Sequence, residues 1–180
     1  MSCHKMDTKY NYFEFYTDLS NWFSRHPRLI GALRLFNRVV VAIMYLAYFG
    51  ALVAIGWEHR ASLPALAKAV APLVIIPGLG FVVLTIARNR LNAPRPYEEW
   101  MIDPLIPREK QGDSLPSRHV FSATVISLVA WQVAWPVGLT LLVLTVLLAV
   151  ARVIGGVHYP RDVIAGALCG LVCGSLLWLF

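Results

Sequence analysis

Residues 120–151 read VFSATVISLVAWQVAWPVGLTLLVLTVLLAVA, 32 positions without a charged side chain. As one helix this run would be about 48 Å long. A hydrocarbon core is about 30 Å thick and needs about 20 helical residues. Halfway along, Trp131-Gln-Val-Ala-Trp135-Pro136-Val-Gly138 supplies a turn, with tryptophans suited to a membrane interface. The run therefore reads as a helical hairpin that crosses a bilayer twice.

The same count, carried outward, finds three more crossings. Val39–Trp57 and Ala69–Ala87 are charge-free runs of 19 residues each, and Val163–Phe180 is one of 18. Pro77, Gly78 and Gly80 interrupt the second, which predicts a kink or a close helix contact. Gly166, Gly170 and Gly174 form a small-residue face on the last, suited to tight packing. Residues 1–38 are too polar to span and lack a signal peptide's apolar core. Their mixture of Tyr10, Tyr12, Phe13, Phe15, Tyr16, Trp22 and Phe23 with Glu14, Asp18, Asn21 and Arg25 suits an amphipathic helix lying in the interface. The expected fold is all-α: a polytopic membrane bundle of about five transmembrane helices over 39–180, preceded by the interfacial segment 1–38.

Composition agrees. The chain has 180 residues, 58% hydrophobic and 14% charged, where soluble domains carry about a quarter charged. Its net charge of +6 is held between apolar runs, which favours lipid headgroups or an anionic substrate over nucleic acid. Three cysteines form no disulfide framework. Cys169 and Cys173 share one helix face, and with no further ligand near in sequence they read as small packing residues rather than a metal site.

Five crossings put the N-terminus, the 88–119 loop and the 152–162 turn on one side of the membrane. That side holds every Lys and Arg except Arg60 and Lys68. Three fragments stand out there: Arg88-Asn-Arg-Leu-Asn-Ala-Pro-Arg95-Pro96, Pro116-Ser117-Arg118-His119, and Arg152-Val-Ile-Gly-Gly-Val-His158-Tyr-Pro-Arg-Asp162. Arg88, Arg95 and Arg152 can present planar forks of donors to phosphate oxygens. Ser117 stands where it can cap the helix opening at His119, whose free N–H groups attract anions. Asp162 can accept the proton on one His158 nitrogen and leave the other free to attack. His119 remains as a general acid. Each residue alone has an ordinary reading, as a snorkelling anchor, an interface histidine or a helix-terminal carboxylate. Their order, on one side, is what points to chemistry. His4, His26 and His59 lack such a setting, and Glu98, Glu99, Asp103, Glu109 and Asp113 read as a solvated loop face.

These fragments resemble the three motifs of the type 2 phosphatidic acid phosphatase (PAP2) superfamily, K-x6-R-P, P-S-G-H and S-R-x5-H-x3-D. Here they stand as Arg88-x6-Arg95-Pro96, Pro116-Ser117-Arg118-His119 and Ala151-Arg152-x5-His158-x3-Asp162. The resemblance implies a metal-independent, cofactor-free membrane phosphatase acting on a lipid phosphate or pyrophosphate. His158 would become phosphohistidine, Asp162 would orient it, and His119 would protonate the leaving oxygen. Arg88, Arg95, Ser117, Arg118 and Arg152 would hold the phosphate. Arg88 for lysine keeps the charge but changes its geometry. Arg118 for glycine requires a backbone without positive φ, and Ala151 for serine loses a hydroxyl. A phosphotransferase would use the same groups, a vanadate-dependent haloperoxidase shares this kind of site, and a lipid-phosphate binder would need only the arginines. Undecaprenyl pyrophosphate, phosphatidylglycerol phosphate, phosphatidic acid and shorter prenyl pyrophosphates all fit as substrates. The Lys and Arg asymmetry puts the site in the cytoplasm, and without Arg88, Arg95, Arg118 and Arg152 it is still ten to two. The resemblance implies the opposite, exterior face.

Overall fold

The computed structural model describes the backbone of residues 3–108 and 111–179, and side chains from Phe13 onward within those limits. The side chains of Cys3, His4, Tyr10 and Tyr12, all of Glu109, and Phe180 lie outside the described residues. The described chain is helical, with no strand: α1 Cys3–Ser24, α2 Pro27–Glu58, α3 Leu63–Leu91, the single turn α4 Pro96–Glu99, α5 Arg118–Val133, α6 Trp135–Ile154 and α7 Pro160–Ser175, closed by a 3-10 turn Leu176–Leu179.

Proline punctuates these helices as its missing N–H dictates. Pro27, Pro96, Pro136 and Pro160 stand in first turns, where no intrahelical donor is needed. Pro77 lies inside α3 and deprives the Leu73 carbonyl of its partner. The Tyr48 hydroxyl of α2 donates to that carbonyl at 2.8 Å, so a neighbouring helix repairs the gap inside the apolar layer. The close contact expected nearby is at Gly80, where a Cβ would stand 2.5 Å from Cys173 Sγ. Cys173 donates to the Ile76 carbonyl, which agrees with a packing role for this cysteine.

Among the described residues four helical segments are long and apolar enough to cross a membrane: α2, α3, α6, and α7 continued by its 3-10 turn to Leu179. The fifth expected span differs from these in length and surroundings. The first arm of the hairpin, α5, has 16 residues and is about 24 Å long, shorter than the other four segments. It sits inside the bundle, packed by α2, α3, α6 and α7, so most of its apolar run meets protein instead of lipid. The hairpin itself is present, turning at Ala134.

The leader also differs from a simple interfacial helix. It breaks at Arg25–His26, and α2 starts at Pro27, so the polar residues Arg28, Arg34 and Arg38 belong to the first turns of a spanning helix. α1 exposes Phe13, Phe15 and Trp22 yet buries Tyr16. Tyr16 packs with Tyr97, Ile102, Ile106 and Val157, and its hydroxyl accepts the Leu105 N–H at 3.3 Å. Arg34 donates to the Leu105 carbonyl at 2.7 Å. Leader and α2 together brace the long loop.

Candidate active site

Three chain segments converge at one end of the bundle: the end of α3 with α4, the loop leading into α5, and the turn from α6 to α7. The convergence is fixed by backbone contacts. Ser114 N–H donates to the Ala93 carbonyl at 2.9 Å, and Ser117 N–H donates to the Asp162 carbonyl at 2.9 Å. The glycine face of α7 allows the second approach. A Cβ on Gly166 would stand 2.5 Å from the Ser117 carbonyl oxygen, and one on Gly170 would stand 2.7 Å from Thr124 Cβ. Gly156 takes a φ of +72° in the α6–α7 turn, where the Tyr16 ring fills the space a side chain would need.

Six of the eight candidates from the sequence are buried here: Arg88, Arg95, Ser117, Arg152, His158 and Asp162, each at most 2% exposed. Arg118 and His119 are partly exposed at the start of α5. His158 Nδ1 faces Asp162 Oδ2 at 3.5 Å. Burial depresses the His158 pKa to about 4; the carboxylate of Asp162 opposes this, and the charges of Arg152 and Arg95 add to it. The imidazole is thus neutral at physiological pH, as a nucleophile must be. Arg88 sends both terminal nitrogens to backbone carbonyls, of Pro116 and Asp113, so it holds the loop before α5. Arg95 Nε likewise donates to the Gly112 carbonyl at 3.1 Å.

Ser117 corrects one expectation. It occupies the N-cap position of α5, but its side chain makes no capping bond. Its Oγ is buried without a hydrogen-bond partner among the described residues. Such an orphan costs about 1–3 kcal/mol, so capping does not account for the serine at this position.

The acidic loop residues also differ from a solvated face. Glu98 accepts the Arg95 N–H at 2.8 Å and the Gly112 N–H at 2.7 Å, stitching the loop across the site. It stands at N3 of a capping box whose N-cap is Arg95, and without Ser, Thr, Asp or Asn at that position the sequence carries no usual capping-box signal. Glu99 accepts the Tyr159 hydroxyl at 2.8 Å, and Tyr159 accepts Trp100 Nε1–H at 2.9 Å. Asp103 fits the solvated reading, 96% exposed and 3.4 Å from Arg108, and Glu99 is exposed as well. Ser114, wholly buried and bonded to Asp162, carried no sequence signal that set it apart. His26 and His59 turn their rings to local carbonyls of Trp22 and Ile55, as befits bystanders.

Beside the polar cluster, a cavity of about 200 Å³ runs between α2, α3, α5 and α6. Arg118 and His119 line it together with the apolar Val41, Met44, Phe81 and Leu148. Two charged or ionisable groups meeting an apolar wall suit an amphiphile whose head is anionic.

The architecture has solved counterparts. LpxE of Aquifex aeolicus superposes with a TM-score of 0.69 at 24% identity, covering 93% of this chain and 94% of that one. A PAP2 type phosphatidylglycerolphosphate phosphatase from Bacillus subtilis gives 0.59 at 21% identity, over 93% and 92%. At these identities the likeness is one of fold. In sequence, YbjG of Escherichia coli (strain K12), whose name gives it provisionally as an undecaprenyl-diphosphatase, is 39% identical over 71 residues. That match spans 37% of this chain and about a third, 35%, of the relative. The family model of the PAP2 superfamily matches residues 65–180, the segment that supplies every residue of the buried cluster. By fold, by motif order and by that match over more than half its length, this multi-pass membrane protein belongs to the PAP2 superfamily.

Proposed function

We propose that this chain hydrolyses a lipid phosphate or lipid diphosphate in two displacements at His158, without a metal ion. The observation that carries the reading is a neutral, buried His158 with Asp162 on its Nδ1 side and the charges of Arg95 and Arg152 in range. Among the described residues the fully buried charges are three arginines and one aspartate. A surplus of buried positive charge favours an anion in their midst.

In the first step the Nε2 lone pair of His158 forms a bond to phosphorus. The phosphorus–oxygen bond to the lipid breaks, and the electron pair leaves on that oxygen, which takes a proton from His119. Arg95 and Arg152 offset charge on the equatorial oxygens, and Ser117 Oγ–H and the first N–H groups of α5 donate to them. Arg88 serves by holding the 113–116 loop and adds its charge. In the second step water, deprotonated by His119, attacks phosphorus and releases inorganic phosphate and neutral His158.

The lipid chain lies in the cavity between α2, α3, α5 and α6, which brings the leaving oxygen to His119. Both the Bacillus subtilis phosphatase and the Escherichia coli relative carry names that specify lipid phosphates. The test is phosphate release in detergent, with excess EDTA, from phosphatidic acid, phosphatidylglycerol phosphate and prenyl diphosphates. Release by the wild type and not by His158→Ala is expected. Equal release by both, or dependence on added divalent metal, contradicts the reading.

A further inference from the structure

At 3.5 Å, the His158 Nδ1 to Asp162 Oδ2 separation is longer than a well-formed hydrogen bond. A third group stands beside both of them. Ser114 is wholly buried, its Oγ lies 3.4 Å from His158 Nδ1, and it donates its proton to the same Asp162 Oδ2. That oxygen also accepts the Tyr159 N–H at 2.9 Å.

We propose that Ser114 is a positioning residue for the nucleophile, making the histidine–aspartate pair a three-membered His158–Ser114–Asp162 relay. The proposal rests on the reading of His158 as nucleophile. A hydroxyl carries a single proton. With that proton given to Asp162, Ser114 presents only lone pairs toward His158, so Nδ1 must carry its hydrogen and Nε2 must be the free nitrogen. When Nε2 bonds to phosphorus the ring becomes cationic. Its Nδ1–H then polarises Ser114, and Ser114 in turn is held by the carboxylate, with no proton leaving any of the three.

The serine is kept in place from its own loop. Its N–H is bound by the Ala93 carbonyl at 2.9 Å, and Arg88 grips the carbonyls of Asp113 and Pro116 on either side. This gives Arg88 a second task beside its charge, because the segment it holds carries Ser114.

The experiment compares kcat and KM of Ser114→Ala, Asp162→Asn and the double variant in purified protein, with His158→Ala as control. Loss of a hydrogen bond to a charged group predicts a fall in kcat of about tenfold to hundredfold for Ser114→Ala, with KM little changed. In the Asp162→Asn background the same substitution is expected to cost less than about threefold, because the serine acts through that carboxylate. Ser114→Thr, which keeps the hydroxyl, is expected to recover most of kcat where its near-isostere Ser114→Val does not. That pair carries the test if the alanine variant fails to fold. Wild-type kcat in Ser114→Ala, fully multiplicative losses in the double variant, or equal activity of the Thr and Val variants would overturn the relay. An active His158→Ala would instead overturn the nucleophile reading on which the relay rests.

Discussion

The amide of Ser117 donates to the carbonyl of Asp162 at 2.9 Å, tying the residue that opens α5 to the first turn of α7. This bond joins the N-terminal end of α5 to the residue whose carboxylate faces His158. It forms because α7 presents glycine where it passes the Ser117 carbonyl. The small-residue face of the last helix is thus a condition for assembling the site.

Gly166→Val tests that dependence. Its added Cβ would meet the Ser117 carbonyl oxygen at 2.5 Å, so the helices must part. Overpacking of this kind costs about 1–3 kcal/mol. Activity is expected to fall at least about tenfold, since misplacement at the phosphate site acts on the transition state. The phosphate-release rate and Tm of the variant, read together, check it.

The burial of His158 predicts how stability depends on pH. Its imidazole titrates near 4 in the folded chain and near 6.5 when unfolded. Between those values the unfolded state binds a proton that the folded state refuses. Stability therefore falls as pH drops through that window, and this group adds no further loss below about pH 4. Tm of the detergent-solubilised protein should decline from pH 6.5 to 4.5, and His158→Gln should flatten the slope. An equal slope in both proteins would contradict the assignment.

Tyr16 links the leader to the α6–α7 turn that carries His158. Its ring occupies the space over Gly156, two residues before His158, and its hydroxyl accepts the Leu105 N–H. Tyr16→Ala should cost about 3 kcal/mol, in the range for deleting a buried aromatic side chain, and lower kcat through the displaced turn. Tyr16→Phe should cost about 1 kcal/mol and leave kcat nearly intact. Chemical denaturation and steady-state kinetics on both variants separate ring from hydroxyl.

Arg118 stands where the family motif has glycine, and it lines the apolar cavity beside His119. Arg118→Ala should raise KM for the lipid substrate about tenfold and change kcat far less, as expected for a partly exposed cation that binds an anionic head. Unchanged KM across the lipid panel would remove Arg118 from the substrate site.

Much of this was legible in the chain itself. Charge-free runs gave the helices, because a bilayer tolerates few charges and backbone polar groups must pair within a helix. The spacing from Arg152 to Asp162 placed His158 and Asp162 together, since one turn and the start of a helix leave them little freedom. What the sequence hid depends on tertiary contact. The shortness of α5 shows only once it is surrounded by α2, α3, α6 and α7, which relieves it of facing lipid. Ser114 and Tyr16 are ordinary residues until distant segments meet them, and the Ser117 hydroxyl resembled a helix cap until its missing capping bond was seen.

The central claim is that phosphate passes through His158. The most direct measurement is rapid alkaline quench of the enzyme turning over a lipid substrate labelled in its terminal phosphate, followed by peptide mapping. The account predicts label on His158, stable to base and lost in acid, and no label in His158→Ala. Turnover without any base-stable label, or label on another residue, would contradict it.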